Sequence, residues 1–271
     1  MEQYQSGKGL MQMNLEKMLA GKKILIMGVA NQRSIAWAIA KAYASAGADL
    51  AFSYQNERFK GKVERLVENE IPGSLLIPCD VAEDGDLENL SAVLQDQWGV
   101  LHGIVHSLAY ARKEELDGMF VNTSREGFLL AQNISAYSLT AVSKRLYPLM
   151  KKGGSIITLT FQGSERVVPN YNVMGVAKAA LEASVRYLAS DLGSMGIRVN
   201  AVSAGPIRTI SAKGVKDFNR LLEGVEEKTP LRRLAGANEV ADTALFLASD
   251  LSSAVTGTVL FADCGYHIMG A

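Results

Sequence analysis

Lys23-Ile24-Leu25-Ile26-Met27-Gly28-Val29, with the residues that follow it, Ala30-Asn31-Gln32-Arg33-Ser34-Ile35-Ala36, decides how this 271-residue chain folds. Lys23–Val29 is a nearly continuous apolar run of strand length, which predicts a buried first strand. Beyond it the period changes. Ile35, Ala38, Ile39 and Ala42 fall on one face of a helix over Ser34–Ala46, and Gly47 follows as a stop. Gly28 lets the chain turn sharply between the two, and Ser34 is placed to cap the helix. Free N–H groups and the helix dipole then face a site where a pyrophosphate could be held. The usual Gly-x-Gly-x-x-Gly string is absent. Gly28, Ser34 and Ile35 are the expected contacts of this turn, against the plainer reading of a turn and a cap.

Outward from that unit the alternation continues. Strands are predicted at Asp49–Tyr54, Leu75–Pro78, Gly103–Ser107, Ser155–Thr160, Ile197–Ser203 and Val259–Ala262. Helices are predicted near Glu57–Glu70, Asp84–Trp98 and Ile134–Met150, and from Tyr171 to about Met195. Helices between parallel strands imply an α/β chain: a single-domain, Rossmann-type doubly wound sheet of about seven parallel strands, helices on both faces. Right-handed crossovers place ligands beyond the carboxyl ends of the strands. Residues 1–13 are polar, carry no apolar signal region and read as a flexible tail. Residues 14–271 read as one domain, with no repeat, low-complexity tract or linker.

Composition narrows the function. Hydrophobic residues make up 48%, enough for a substantial core. Lys+Arg and Asp+Glu are both 28, so no net field points to nucleic acid or an acidic membrane surface. No apolar run approaches the ~20 residues of a membrane span. Cys79 and Cys264 suggest no disulfide framework, and a reducing cytoplasm is the simpler expectation. No metal is expected. His102, His106 and His267 read as packed structural residues.

The chemistry is carried by Tyr171-Asn172-Val173-Met174-Gly175-Val176-Ala177-Lys178. Two turns of helix would bring positions seven apart back to one face, about 10 Å along the axis. A phenol and an ammonium could then bracket a nicotinamide ribose, as hydride delivery with nearby protonation requires. Gln55, after the second strand, can bond a ribose hydroxyl and brings no cation for a 2′-phosphate, which favours NADH/NAD+. Arg58 is the one nearby cation against it. After the third strand, Asp80 can accept the adenine amino group while Val81 covers the ring; a helix-initiating Asp is the bland reading. Ser107 and Ala109, after the fourth strand, let the backbone approach the cofactor. Within Ser203-Ala204-Gly205-Pro206-Ile207-Arg208-Thr209, Ile207 would hold the carboxamide through its backbone and Thr209 would reach the pyrophosphate. The segment 210–220 reads equally as a lid or as a surface helix, the lid being placed near 207–221. Ala111, Phe161, Tyr171, Met174, Phe218 and Leu221 could line an acyl slot, though each is also an ordinary core residue. Arg208, Lys213, Lys216 and Arg220 near the lid could meet an acidic carrier, or simply face solvent.

The short-chain dehydrogenases carry Tyr-x-x-x-Lys, and Gly175 stands where that lysine would be. Tyr-x6-Lys within Asn-Tyr-Asn-Val-Met-Gly resembles instead the enoyl-acyl carrier protein reductases. Gly28-x5-Ser34-Ile35-Ala36, Ser124–Phe128, Ile134–Ser138, Arg198–Thr209 and Gly265–Gly270 follow one another as in the bacterial NADH-dependent members, over roughly Leu19 to Gly270. The resemblance implies that Tyr171 bonds the thioester carbonyl and stabilises the enolate formed as hydride reaches the β-carbon. It implies that Lys178 bonds the nicotinamide ribose, with an enoyl-acyl carrier protein as partner and a homotetramer as assembly. Two departures stand out. The family usually has a second tyrosine ten residues before the first, where this chain has Phe161, as the mycobacterial long-chain relatives do. Asp263-Cys264-Gly265 replaces the common Asp-Gly-Gly, with Cys264 expected to fill a small gap. Reduction of a 3-ketoacyl thioester, or dinucleotide binding without turnover, are the other readings.

Overall fold

The computed structural model describes residues 17–207 and 218–270, with backbone alone for 218–221 and 223. Strand and helix alternate as β1 (Lys23–Met27), α1 (Ile35–Ser45), β2 (Asp49–Tyr54), α2 (Glu57–Glu70), β3 (Leu75–Pro78), α3 (Asp84–Trp98) and β4 (Gly103–His106). There follow α4 (Arg125–Gln132), α5 (Ser138–Leu146), β5 (Gly154–Thr160), α6 (Asn172–Gly193), β6 (Ile197–Ala204), α7 (Phe218–Lys228), α8 (Ala237–Ala248) and β7 (Val259–Ala262). The strands form one seven-stranded sheet in the order β3-β2-β1-β4-β5-β6-β7, and every neighbouring pair is parallel. This is the doubly wound sheet expected from the sequence.

Alternation along β1 shows how both faces are buried. Ile24 and Ile26 join a core with Trp37 of α1, Val63 of α2 and Val240 of α8. Leu25 and Met27 join the opposite core with Leu87 of α3, Val142 of α5 and Leu181 of α6. A parallel strand buried on both faces must be apolar at successive positions, which is why β1 reads as a run.

The differences from expectation have local causes. β1 ends at Met27 because Gly28 adopts φ +95° and leaves the strand. The single helix expected over Ile134–Met150 is divided: a π-helical turn at Asn133–Tyr137, then α5, then a 3₁₀ turn at Tyr147–Leu149 that admits Pro148. Helices α4 and α8 were not predicted. Their starts lie in polar caps: the Ser124 hydroxyl accepts from Gly127 N–H at 3.0 Å, and Glu239 reaches back to Gly236 N–H at 2.9 Å.

Candidate active site

The register brings the carboxyl ends of β1, β2, β4 and β5 to one edge, with Met27 beside both Ser53 and His106, and His106 beside Thr158. Between β1 and β4 the strand order changes direction, where α/β sheets open a crevice for ligands.

Gly28 stands in that crevice. Besides its positive φ, a Cβ there would lie 2.0 Å from the carbonyl oxygen of Ser107. Ser34 occupies the N-cap position of α1 without capping it, correcting the expectation. Its hydroxyl instead accepts the N–H groups of Ala30 and Asn31, each at 3.1 Å, and closes the turn on itself. The N–H groups of Ile35 and Ala36 therefore keep no intrahelical acceptor, and no acidic side chain sits in this first turn. Asn31 Nδ2 is buried without a partner among the described residues. Bare backbone, unspent donors and an orphaned amide fit a phosphate-bearing cofactor.

Gln55 and Asp80, read as separate contacts, are brought together: Gln55 Nε2 donates to Asp80 Oδ2 at 2.8 Å, and Asp80 Oδ1 accepts from Ala82 N–H at 3.0 Å. Val81 is buried beside them. The Arg58 N–H donates to Asn56 Oδ1 as part of the α2 cap. Ser107 N–H donates to the Met27 carbonyl at 3.2 Å, tying β4 to β1, while Ala109 is exposed. Ile207 packs against the core that includes Val29 and Ala36. Thr209, Arg208, Lys213 and Lys216, and the side chains of Phe218, Arg220 and Leu221, lie outside the described residues, as does most of the segment read as a lid.

Tyr171 is not within the helix as expected. It occupies the N-cap position of α6 without a side-chain cap bond, between Asn170 at φ 61° and Asn172 at φ 38°. Asparagine tolerates such left-handed backbone, and this kink, not helical spacing alone, aims the ring. Phe161 meets the ring edge-on, centroids 5.2 Å apart and planes at 71°. Tyr171, Met174 and Ala111 share one apolar cluster with Leu116 and Val173. Burial, then the negative charge of Glu182, raises the phenol above its ordinary pKa, so it stays protonated at neutral pH.

Lys178 lies buried inside α6, its Nζ donating to the Leu159 carbonyl of β5 at 2.7 Å. Two of its three donors remain. Burial pushes its pKa down to about 8, opposed by Glu182. The intervening glycines are steric necessities. A Cβ at Gly175 would lie 2.6 Å from the Gly163 carbonyl oxygen, and one at Gly163 would lie 2.5 Å from the Tyr171 ring.

Sequence reasoning passed over the polar layer beneath these groups. Thr160 Oγ1 donates to buried Glu182 at 2.5 Å. Four-residue spacing from Lys178 was the signal that could have found Glu182. His106 bridges Thr158 at 3.0 Å and Ser138 at 2.8 Å, and burial, with the charge of Lys178, lowers its pKa to about 3, leaving it neutral. His267 hydrogen-bonds Asp263 and stacks on Phe261 at 3.8 Å. Cys264 is half-buried at φ 59°, a conformation that suits glycine.

A cavity of about 440 Å³ opens at the opposite, amino end of the sheet, beside His102, Gly154 and Arg198. Three of its polar groups are spent on the α8 backbone: Tyr43 Oη donates to Ala244 O, Ser155 Oγ to Leu247 O and Arg198 to Leu247 O. Among the described residues no group of three His, Cys, Asp or Glu is placed to hold a metal.

Comparison with known proteins gives one answer. A family model described as enoyl-(acyl carrier protein) reductase matches residues 28–267. The enoyl-[acyl-carrier-protein] reductase [NADH] FabI of Bacillus cereus is 56% identical over 255 residues, covering 94% of this chain and 100% of the relative. That of Escherichia coli is 46% identical, covering 92% of this chain and 95% of the relative. A crystal structure of the Bacillus cereus enzyme with NADP+ and indole naphthyridinone superposes with a TM-score of 0.92 at 55% identity, covering 94% and 100% of the two chains. The Anaplasma phagocytophilum enzyme in complex with NAD superposes at 0.90 with 48% identity, covering 94% and 97%. With Tyr-x6-Lys at the end of a seven-stranded doubly wound sheet, and matches over nearly its whole length, this chain belongs to the enoyl-(acyl carrier protein) reductase family.

Proposed function

We propose that this chain reduces the carbon–carbon double bond of trans-2-enoyl-acyl carrier protein thioesters with NADH, the last step of the fatty acid elongation cycle. The carrying observation is the placement of Tyr171 and Lys178 at the end of β5, with Gly175 pressed against Gly163. Bound NADH supplies hydride to the β-carbon. Tyr171, kept protonated by its surroundings, donates a hydrogen bond to the thioester oxygen, where enolate charge develops; such a donor contributes on the order of a few kcal/mol of barrier lowering. The two free donors of Lys178 hold the ribose hydroxyls. Gly28, Ser34, Ile35, Ser107, Ala109, Ile207 and Thr209 form the cofactor cradle, with Gln55, Asp80 and Val81 at its adenosine end. Ala111, Phe161 and Met174 wall the acyl slot.

Carbonyl reduction would want a lysine at position 175, where even a Cβ collides with the Gly163 carbonyl. Mixing NADH with crotonyl-thioester or acetoacetyl-thioester and following the reduced nicotinamide band separates the readings. Oxidation with crotonyl alone supports enoyl reduction. Oxidation with acetoacetyl alone supports carbonyl reduction, and binding without oxidation supports a non-catalytic module.

The enzyme works in the cytoplasm as a homotetramer built through the Ile134–Met150 region, which includes α5, and through α6. Supporting this, Leu129 is 60% exposed, Tyr137 55% and Tyr187 76% on or beside those helices, a concentration of apolar surface that invites a partner. Light scattering should give the mass of four chains, and a monomer would refute the assembly.

A further inference from the structure

Glu182 is a buried carboxyl that the proposed chemistry leaves unused. It lies one helical turn beyond Lys178 on α6, on the same face. Its Oε1 accepts the Thr160 hydroxyl at 2.5 Å. Thr160 is the last residue of β5, one after Leu159, whose carbonyl takes the Lys178 ammonium, and one before Phe161, which packs on Tyr171. Carboxyl, ammonium and phenol are thus stitched to one strand end through three consecutive residues.

We propose that Glu182 is a positioning residue for the reduction: it keeps Lys178 charged and, through Thr160, holds α6 in register with the strand end that carries Phe161. The inference rests on reading Lys178 as the ribose-binding cation. A buried carboxylate is expensive unless paired, so its retention beneath the site calls for such a role. Among the described residues, the groups that share electrostatic contact here are Lys178 on α6, Tyr171 at its N-cap position and His106 on β4. His106 is neutral and Tyr171 a phenol, so Glu182 alone supplies the charge opposite Lys178. Burial works against the ammonium and Glu182 works for it.

The test separates charge from shape. Glu182→Gln keeps the size and an oxygen for Thr160 but removes the charge; Glu182→Asp keeps the charge. NADH affinity is measured by fluorescence titration from pH 6 to 10, with pH profiles of crotonyl-thioester reduction alongside. Wild-type affinity should hold to about pH 8 and fall above it, as Lys178 loses its proton. In Glu182→Gln that fall should move down by about one pH unit or more, with the melting temperature little changed; in Glu182→Asp it should stay near the wild-type position. A Glu182→Gln limb at the wild-type pH overturns the inference. If that variant does not fold, Glu182→Asp still decides: it keeps the charge, so a limb displaced downward by about a pH unit or more in that variant overturns the inference equally. The parent reading fails differently: wild-type protein that binds NADH but does not oxidise it with crotonyl-thioester removes enoyl reduction, whatever Glu182 does.

Discussion

At the residue scale the site rests on two protonation states. Tyr171 is held a phenol by burial and by Glu182 together, while Lys178 is largely an ammonium at neutral pH because Glu182 opposes the burial that lowers its pKa to about 8. Replacing Tyr171 with Phe removes the hydroxyl that the proposed reduction aims at developing charge. Turnover should fall by about 10²–10⁴-fold while NADH affinity stays nearly constant; turnover within a few-fold of wild type would place the oxyanion donor elsewhere. Phe161 has no proton to relay, and its edge packs on the Tyr171 ring. Phe161→Tyr should therefore change kcat only modestly, and a gain of several orders would show that the natural chain lacks a working part. Tyr171 and Lys178 were legible from residue type and spacing. Glu182 was not, because a lone Glu on a helix is ordinarily a solvated residue, and only the packing of α6 on β5 shows that it is buried.

At the scale of elements, the contact between α6 and the turn after β5 governs the site. Gly175 lets the Gly163 carbonyl come close, and Gly163 in turn leaves room for the Tyr171 ring. Gly175→Ala should overpack this contact at a cost of about 1–3 kcal/mol, seen as a lower melting temperature. Because the displaced turn bears on Tyr171, kcat should fall further than stability alone explains. Unchanged melting and turnover would mean that the contact gives way freely. The first turn was legible as a glycine followed by a helix start, but not the use to which Ser34 is put. A serine before a helix is read as a cap; here the hydroxyl closes the turn at Ala30 and Asn31 and leaves the helix donors unspent. The same limit applies to the helix expected over Ile134–Met150, where apolar spacing does not distinguish an α from a π turn.

For the whole molecule, the buried polar layer between the sheet and the helices sets acid stability. His106 is neutral in the fold, with its pKa lowered from 6.5 to about 3. As pH falls below 6.5 the unfolded chain takes up a proton that the folded chain refuses until about pH 3, so stability contributed by this group drops through that window. Melting temperature should decline between pH 6.5 and 4, and His106→Asn should flatten the decline; an equal slope in both proteins would assign the loss to other groups. The sequence by itself determined the doubly wound sheet, and it singled out the turn at Gly28 and the Tyr171/Lys178 pair as the candidate site. Runs of apolar residues, helical spacing and a glycine turn are local signals, carried by neighbours in the chain. Only the tertiary structure decided that Gly175 must be bare, that Gln55 and Asp80 join, and that Glu182 and Thr160 lie beneath the lysine. Those facts depend on which strand ends meet and how closely α6 approaches β5, and long-range distances of that kind leave no periodicity in a sequence.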